Sequence, residues 1–189
     1  LMAIGNAQQL FISGHDSHRV YENLLHILVQ ATGSAYGFLD EVLYEPDGTP
    51  YKLNLAFSNL AWPDDSHAFY QQITEKKLLF RDLNNLAGAP FQEGRPIIAN
   101  DVSQDPRYRG IPHGHPPLET YLGIPLFYGD EIIGVAGIAN RVGGYNEEII
   151  AFIDPLLKTC AAMIWADRLM QHDRANVEAL RKSEENYRL

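Results

Sequence analysis

Residues 95–141 of the chain have the sequence RPIIANDVSQDPRYRGIPHGHPPLETYLGIPLFYGDEIIGVAGIANR. Two apolar runs within it, Tyr121 to Tyr128 and Glu131 to Ala139, flank the turn residues Gly129 and Asp130. Apolar runs of this length on either side of a turn predict two paired strands, a β-hairpin.

The segment before this hairpin, Asn100 to Leu118, is rich in Asp, Arg, His, Gly and Pro and poor in aliphatic residues. Polar connections of this length inside a compact domain are commonly binding loops or lids. A rigid hairpin that carries such a loop is typical of a receptor site, and not of a nucleophile paired with a base.

Composition restricts the possible partners. The chain has 189 residues, enough for one domain with a sizeable core. Its 15 Lys and Arg stand against 24 Asp and Glu, so nucleic acid and anionic membranes would be repelled. The single cysteine, Cys160, excludes an internal disulfide and a multi-cysteine zinc cluster, and it suits a reducing compartment. No apolar run approaches the roughly 20 residues that span a bilayer. We therefore expect a cytoplasmic domain without nucleic-acid or direct membrane contact, whose parent protein could still be anchored elsewhere.

The first 80 residues predict a helix, a hairpin and a second helix after a helical lead-in over residues 1–15. The first helix begins at the N-cap Asp16 and stops at Thr32-Gly33. Residues 36–44 and 51–58 are strands joined by the turn sequence EPDG, and residues 62–80 carry an apolar pattern with helical spacing.

The last third predicts a long helix after the hairpin, and residues 96–99 form a short buried strand before the polar loop. Asn146 caps this helix, and Pro155 is expected to kink it or shift its start. Beyond residue 168 the apolar residues thin to a stripe among charges, which is typical of a helix that leaves its domain and meets a second copy. The predicted dimer seam consists of Ile149, Ile153, Leu156, Cys160 and Met163.

Together these elements predict an α+β fold. Consecutive strands joined by tight turns form an antiparallel sheet, and terminal helices with apolar stripes must cover one face of it. The inserted helix and the polar loop would roof a pocket on the other face, which is a ligand-binding arrangement.

Four separate motifs follow one another along the chain, EGRPIIAND at 93–101, DPR at 105–107, GHPP at 114–117 and YLGIPL at 121–126. In these motifs and their order the chain resembles, over residues 16–168, the GAF domains of bacterial sensory proteins. The resemblance implies a six-stranded antiparallel sheet with the terminal helices on one face and a small-molecule pocket on the other. Residues 169–189 would be a signalling helix, and its end resembles the start of a PAS domain. The parent would then be a histidine kinase or a cyclic-dinucleotide enzyme of the GGDEF/EAL type.

The chain departs from three specialised kinds of GAF domain. Cys160 lies in the last helix and not before the hairpin, so no covalent bilin is expected. One cysteine cannot complete the redox cycle of relatives that reduce methionine sulfoxide. Where cyclic-nucleotide-binding relatives carry an acidic pair, this chain has Ile149 and Ile150, so cyclic nucleotides are disfavoured.

The candidate ligand-binding residues lie on the first two strands and in the polar loop. If Phe38 and Asp40 face the pocket, Phe38 stacks on a planar ligand and Asp40 accepts a hydrogen bond; if they face the helices, Phe38 is core. His115 either donates to a ligand or hydrogen-bonds the backbone of its own loop, and Asp105 before Pro106 is expected to cap a turn. The full set is Phe38, Asp40, Phe57, Asp101, Tyr108, His113, His115 and Tyr121, and no metal site is expected.

The resulting hypothesis is a non-catalytic sensory domain that binds a small molecule noncovalently, with no cofactor identified. Its terminal helices would form a homodimer and carry a signal to a PAS, kinase or GGDEF output in the same chain. One alternative is a structural dimerisation module without a ligand. Another is an enzyme, or a bilin- or haem-binding photoreceptor or redox sensor, which no nucleophile constellation or chromophore cysteine supports.

Overall fold

The structure, a computed structural model, describes residues 17–58 and 78–187. The predicted lead-in, the N-cap Asp16 and most of the helix predicted over residues 62–80 lie outside these ranges. The helices are α1 (Ser17–Thr32), α2 (Ala89–Glu93) and α3 (Glu147–Tyr187), with a 3-10 turn at Val102–Gln104. The strands are β1 (Tyr36–Tyr44), β2 (Pro50–Phe57), β3 (Leu79–Phe80), β4 (Ile97–Ala99), β5 (Tyr121–Tyr128) and β6 (Glu131–Ala139).

The strands form one six-stranded sheet in the order β3-β2-β1-β6-β5-β4, and every neighbouring pair is antiparallel. This confirms the predicted α+β fold and its sheet. The end of the helix predicted over residues 62–80 was wrong: Leu79 and Phe80 are not helical but pair with Leu53 and Lys52 of β2. Hydrogen bonding to a sheet edge overrides a helical apolar pattern, because the pattern is only a weak local preference.

Helix α1 packs against the sheet through residues spaced at i, i+4 and i+8. Val20, Leu24 and Leu28 are fully buried there. The helix ends at Thr32, whose hydroxyl donates to the Leu28 carbonyl at 2.8 Å, and Gly33 then takes a positive φ of 65°. Gly is the residue that reaches this left-handed conformation without strain.

Helix α3 begins where the sequence predicts. The Asn146 side chain accepts a hydrogen bond from the backbone N–H of Ile149 at 3.0 Å, and the helix continues through Pro155. The assignment of its seam to a dimer needs correction, because these side chains already pack in the domain's own core with α1 and the sheet. Ile153, Leu156, Cys160 and Met163 are buried there, and Ile149 is half-buried against them.

By length and composition, α3 could cross a membrane: Glu147–Ser183 contains a stretch with a mean hydropathy of 1.6, of which 39% is buried. Packing in the core accounts for much of this apolar content, since Ile153, Leu157 and Ile164 belong to the core. Beyond the core, large apolar side chains are exposed on this helix at Leu169, Met170, Val177 and Leu180.

Candidate ligand-binding site

A cavity of about 360 Å³ lies on the sheet face opposite α1 and α3. It is lined by residues from β1, β2 and β3, from segment 82–87 and from the loop 108–118. Its volume is at the small end of the range of ligand pockets, and its walls are mostly apolar and aromatic with a few polar groups, as such pockets usually are.

Strand β1 separates the cavity from the helical core, because successive side chains of a strand point to opposite faces. Phe38 and Asp40 line the cavity. Leu39, between them, is buried in the core formed with α1 and α3. Strand β1 therefore contacts the cavity and the helical core through adjacent residues.

A buried ion pair forms part of the cavity wall. The Lys52 ammonium donates to the Asp40 carboxylate at 2.7 Å, and the two side chains are 4% and 1% exposed. Lys52 also donates to the Ala87 carbonyl at 3.1 Å, and the Asn54 amide donates to the second Asp40 oxygen at 2.8 Å. Asp40 is thus already engaged by two donors of its own chain, whereas the sequence predicted that it would accept from a ligand.

Phe38 is engaged as well. The Lys52 ammonium lies 4.7 Å from the centroid of its ring, a cation–π distance, and a Cβ at Gly137 would overlap the ring. Phe38 therefore supports Lys52 as well as the cavity wall, and a ligand that stacked on that face would have to displace the ammonium.

Other aromatic side chains line the cavity. Phe57 and Phe80 meet edge to face with centroids 6.5 Å apart, and Phe80 also lies 5.5 Å from the Lys52 ammonium. Tyr36 meets the His115 ring edge to face at 5.7 Å, and its hydroxyl donates to the Pro117 carbonyl at 2.9 Å. These contacts fix rings from three strands and from the polar loop around one volume.

The comparisons with known proteins fit this arrangement. Residues 14–164 match the family model described as GAF domain. The chain belongs to the GAF domain family.

One relative of this GAF domain is a much longer protein. A methyl sulfide methyltransferase-associated sensor from Methanosarcina acetivorans is 30% identical over 104 residues, which are 54% of this chain and 10% of that protein. The chain thus spans about a tenth of that relative's length.

Two solved structures show the same fold. The GAF domain of a phosphoenolpyruvate-protein phosphotransferase from Coxiella burnetii matches with a TM-score of 0.70 and 20% identity, over 90% of this chain and 95% of that one. Free methionine-R-sulfoxide reductase from Neisseria meningitidis, solved with its substrate, matches with a TM-score of 0.62 and 13% identity, over 89% of each chain.

His115 lies in the cavity wall of the GAF domain. Its Nδ1 donates to the Pro116 carbonyl at 2.7 Å, so one ring nitrogen bonds the backbone of its own loop. Burial lowers the pKa of this imidazole below its usual 6.5, because a buried ring disfavours the charged form. The ring is therefore neutral at pH 7.

Tyr121 lines a smaller cavity of about 90 Å³ that shares Phe38 and His115 with the larger one. Its hydroxyl is buried and has no hydrogen-bond partner within the described part of the chain. Burial raises the pKa of this phenol, so it stays protonated.

The remaining predicted residues separate into two groups. Tyr108 lines the cavity, whereas Asp101 and His113 are exposed and do not. The Asp101 carboxylate instead caps the 3-10 turn, where it accepts from the backbone N–H of Ser103 at 3.1 Å. Across residues 17–58 and 78–187, no three His, Cys, Asp or Glu side chains are grouped so that they could hold a metal ion.

Asp105 caps a turn, as the sequence predicted. Its carboxylate accepts from the backbone N–H of Arg107 at 2.9 Å and from the Arg107 guanidinium at 2.9 and 2.7 Å. Arg107 also donates to Glu93 at 2.8 Å, so this arginine holds the start of the loop and is not a free anion clamp. The hydrogen bonds from Arg107 lower the pKa of the Asp105 carboxyl.

Sequence reasoning missed Lys52, which contacts Asp40, Phe38 and Phe80. Its signal was available in the register of the first hairpin, because pairing Tyr44 with Pro50 places Asp40 opposite Asn54 and diagonal to Lys52. Residues diagonal across a strand pair share a face, and long side chains reach each other there.

Proposed function

We propose that this chain is the sensory GAF module of a larger signal-transduction protein and binds a small molecule noncovalently in the 360 Å³ cavity. The observation that carries the proposal is the cavity itself, an aromatic-walled volume in contact with a strand whose other face packs on the terminal helices. The relative from Methanosarcina acetivorans is named a sensor, which supports a sensory role.

A direct contact connects this strand to the long helix. Arg168 donates to the Glu41 carboxylate at 2.9 Å and to the Val42 carbonyl at 2.8 Å. Glu41 follows the cavity residue Asp40 in β1, and Arg168 lies where α3 leaves the core. A ligand that shifts β1 at Asp40 would therefore act on α3 through one residue and one charge-assisted pair.

The two terminal helices also meet at this point. In α1, the hydroxyls of Ser17 and Tyr21 donate to the Asp167 carboxylate at 3.0 and 3.2 Å. The beginning of the described chain and the departure of α3 are thus coupled within one polar cluster. This is the position from which a change in helix packing would reach a downstream domain.

Signalling would work by population shift. A ligand that binds one packing of the cavity more tightly than another favours the α3 position belonging to it, and only that difference in affinity can do so. A second copy would meet the exposed stripe beyond the core, Met170, Val177 and Leu180, and not the buried residues first assigned to the seam.

Dimerisation through this stripe has a separate test in sedimentation velocity. Val177→Glu and Leu180→Glu should shift the protein towards a monomer, while Ala175→Glu, on the opposite side of the same helix, should not. A wild-type monomer at high concentration, or equal effects of all three substitutions, would contradict dimerisation through the stripe.

A structural dimerisation module without a ligand is the alternative. Sulfoxide reduction is less favoured, because the only cysteine is buried and burial raises its thiol pKa to about 12. The proposed role in this chain is therefore binding and transmission, with catalysis left to an output domain of the parent protein.

Native mass spectrometry of the freshly purified protein tests ligand binding. A mass excess that is lost on denaturation is expected for the wild type and for Ala175→Trp, which changes an exposed residue of α3. Ala87→Trp should lose it, because Ala87 lines the cavity and an indole there would fill it. No mass excess in any variant would favour the structural module.

A further inference from the structure

We propose that the ligand of this cavity is a net-uncharged aromatic or heteroaromatic molecule, because the charges in the cavity wall are compensated within the protein. This inference rests on the proposed sensory function and specifies its ligand class. It follows from the charges in the wall and from the rings around them.

The buried charges leave nothing for an ion to pair with. Lys52 and Asp40 are 2.7 Å apart and almost fully buried, and each has a second partner in the chain, the Ala87 carbonyl for Lys52 and the Asn54 amide for Asp40. The remaining side of the ammonium faces the rings of Phe38 and Phe80 at cation–π distances. This pair presents to the cavity a polar edge whose charges cancel.

The other ionisable groups in the lining also cancel. Asp82 and Arg109 supply one charge of each sign, and both are exposed to solvent. Arg109 donates to the backbone carbonyls of Pro106 and Tyr108 at 2.6 and 3.2 Å. His115 is neutral at pH 7, and burial raises the pKa of the Tyr36 phenol, so this group stays protonated. The lining that the structure describes therefore has no net charge.

In the inner part of the cavity, beside the Lys52–Asp40 pair, an ion would be desolvated without a net counter-charge in return. Burying an isolated charge is unfavourable even after the protein relaxes, so charged molecules are rejected relative to neutral ones of the same shape. Flat rings suit the walls, because Phe57, Phe80 and Tyr108 offer aromatic surface at several angles. The expected ligand is thus flat and neutral, with polar edge groups.

Two fluorescent probes with the same ring system test this inference. N-phenyl-1-naphthylamine is neutral, and 8-anilinonaphthalene-1-sulfonate carries one negative charge on the same skeleton. Titration of the wild type should give at least about tenfold tighter binding of the neutral probe, which corresponds to a modest part of the cost of burying a charge. Probe fluorescence is assigned to the cavity only if Ala87→Trp abolishes it and Ala175→Trp does not. This criterion excludes fluorescence from probe bound to exposed apolar surfaces.

Variants of the ion pair test the stated cause. Asp40→Asn leaves the Lys52 charge uncompensated and should improve binding of the sulfonate at least about tenfold while changing the neutral probe little. The double variant Asp40→Asn/Lys52→Met has no charge at this position and should keep the wild-type preference, which preserves the test if Asp40→Asn does not fold.

Equal or tighter binding of the sulfonate by the wild type, or a changed preference in the double variant, would overturn the ligand class and leave the proposed function standing. Binding of neither probe in the cavity would overturn both. The two failures are therefore distinguishable in one set of titrations.

Discussion

The buried Asp40–Lys52 pair makes a quantitative prediction for stability. Asp40→Asn or Lys52→Met alone leaves one charge buried without its partner, and in each case the free energy of unfolding should fall by about 3–5 kcal/mol. In a domain of this size each kcal/mol lowers Tm by roughly 2–4 °C, so the expected loss is roughly 6–20 °C.

The double variant separates the pair from its surroundings. Asp40→Asn/Lys52→Met replaces two buried charges by neutral side chains of similar size, and such replacements are often neutral or stabilising. Its stability should therefore exceed that of both single variants. An exposed pair provides the matched control: Arg81 donates to Glu45 at 3.0 Å with 64% and 35% of the side chains exposed. Glu45→Gln should cost about 0–1 kcal/mol, because solvent screens this pair.

Urea unfolding followed by far-UV circular dichroism measures all four variants on one scale. The prediction requires large losses in both single variants, recovery in the double variant and little change in Glu45→Gln. Single losses below about 1 kcal/mol, or a double loss equal to the sum of the two single losses, would refute the account of a desolvated pair in the cavity wall.

Three further predictions concern buried groups. Cys160 should react with a thiol reagent roughly a thousandfold more slowly in the folded protein than in urea. The reason is that the thiolate is the reactive form and burial raises the pKa of the thiol from 9.0 to about 12. Equal rates would contradict the burial of Cys160. The free energy of unfolding should decrease as the pH falls below 6.5, because the folded state holds His115 with a lowered pKa and so binds fewer protons than the unfolded state. The variant His115→Gln should remove this part of the decrease. Urea midpoints at about pH 7.5 and about pH 5.5 would measure it. Gly137→Ala should cost about 1–3 kcal/mol because its Cβ would displace the Phe38 ring, whereas Val142→Ala at a site 92% exposed should change little.

The sequence predicted the parts of the fold that depend on local patterns. The strands Tyr36–Tyr44, Tyr121–Tyr128 and Glu131–Ala139 have the bounds that their apolar runs and turn residues indicate. The start of the last helix followed from its cap, Asn146. Each of these signals lies within a few residues of the structure that it specifies, so no tertiary information was needed.

The errors concern contacts between separate helices and strands. Leu79 and Phe80 continue a helical pattern but pair with the edge of β2. The spacing of the apolar residues first assigned to the dimer seam, Cys160 among them, fits a partner helix and a protein core equally well, because both bury the same stripe of a helix. Lys52 was missed because its partner, Asp40, lies on another strand.

A ligand in the cavity is expected to change the position at which α3 leaves the core. Hydrogen–deuterium exchange of residues 163–170 would detect this change, in the wild type and in Arg168→Gln, with the compound that native mass spectrometry is expected to find bound and after its removal. We predict that the compound changes exchange there in the wild type and that Arg168→Gln reduces this effect while the compound still binds. Unchanged exchange at residues 163–170 in the wild type, with protection confined to β1 and β2, would contradict the claim and favour a structural module.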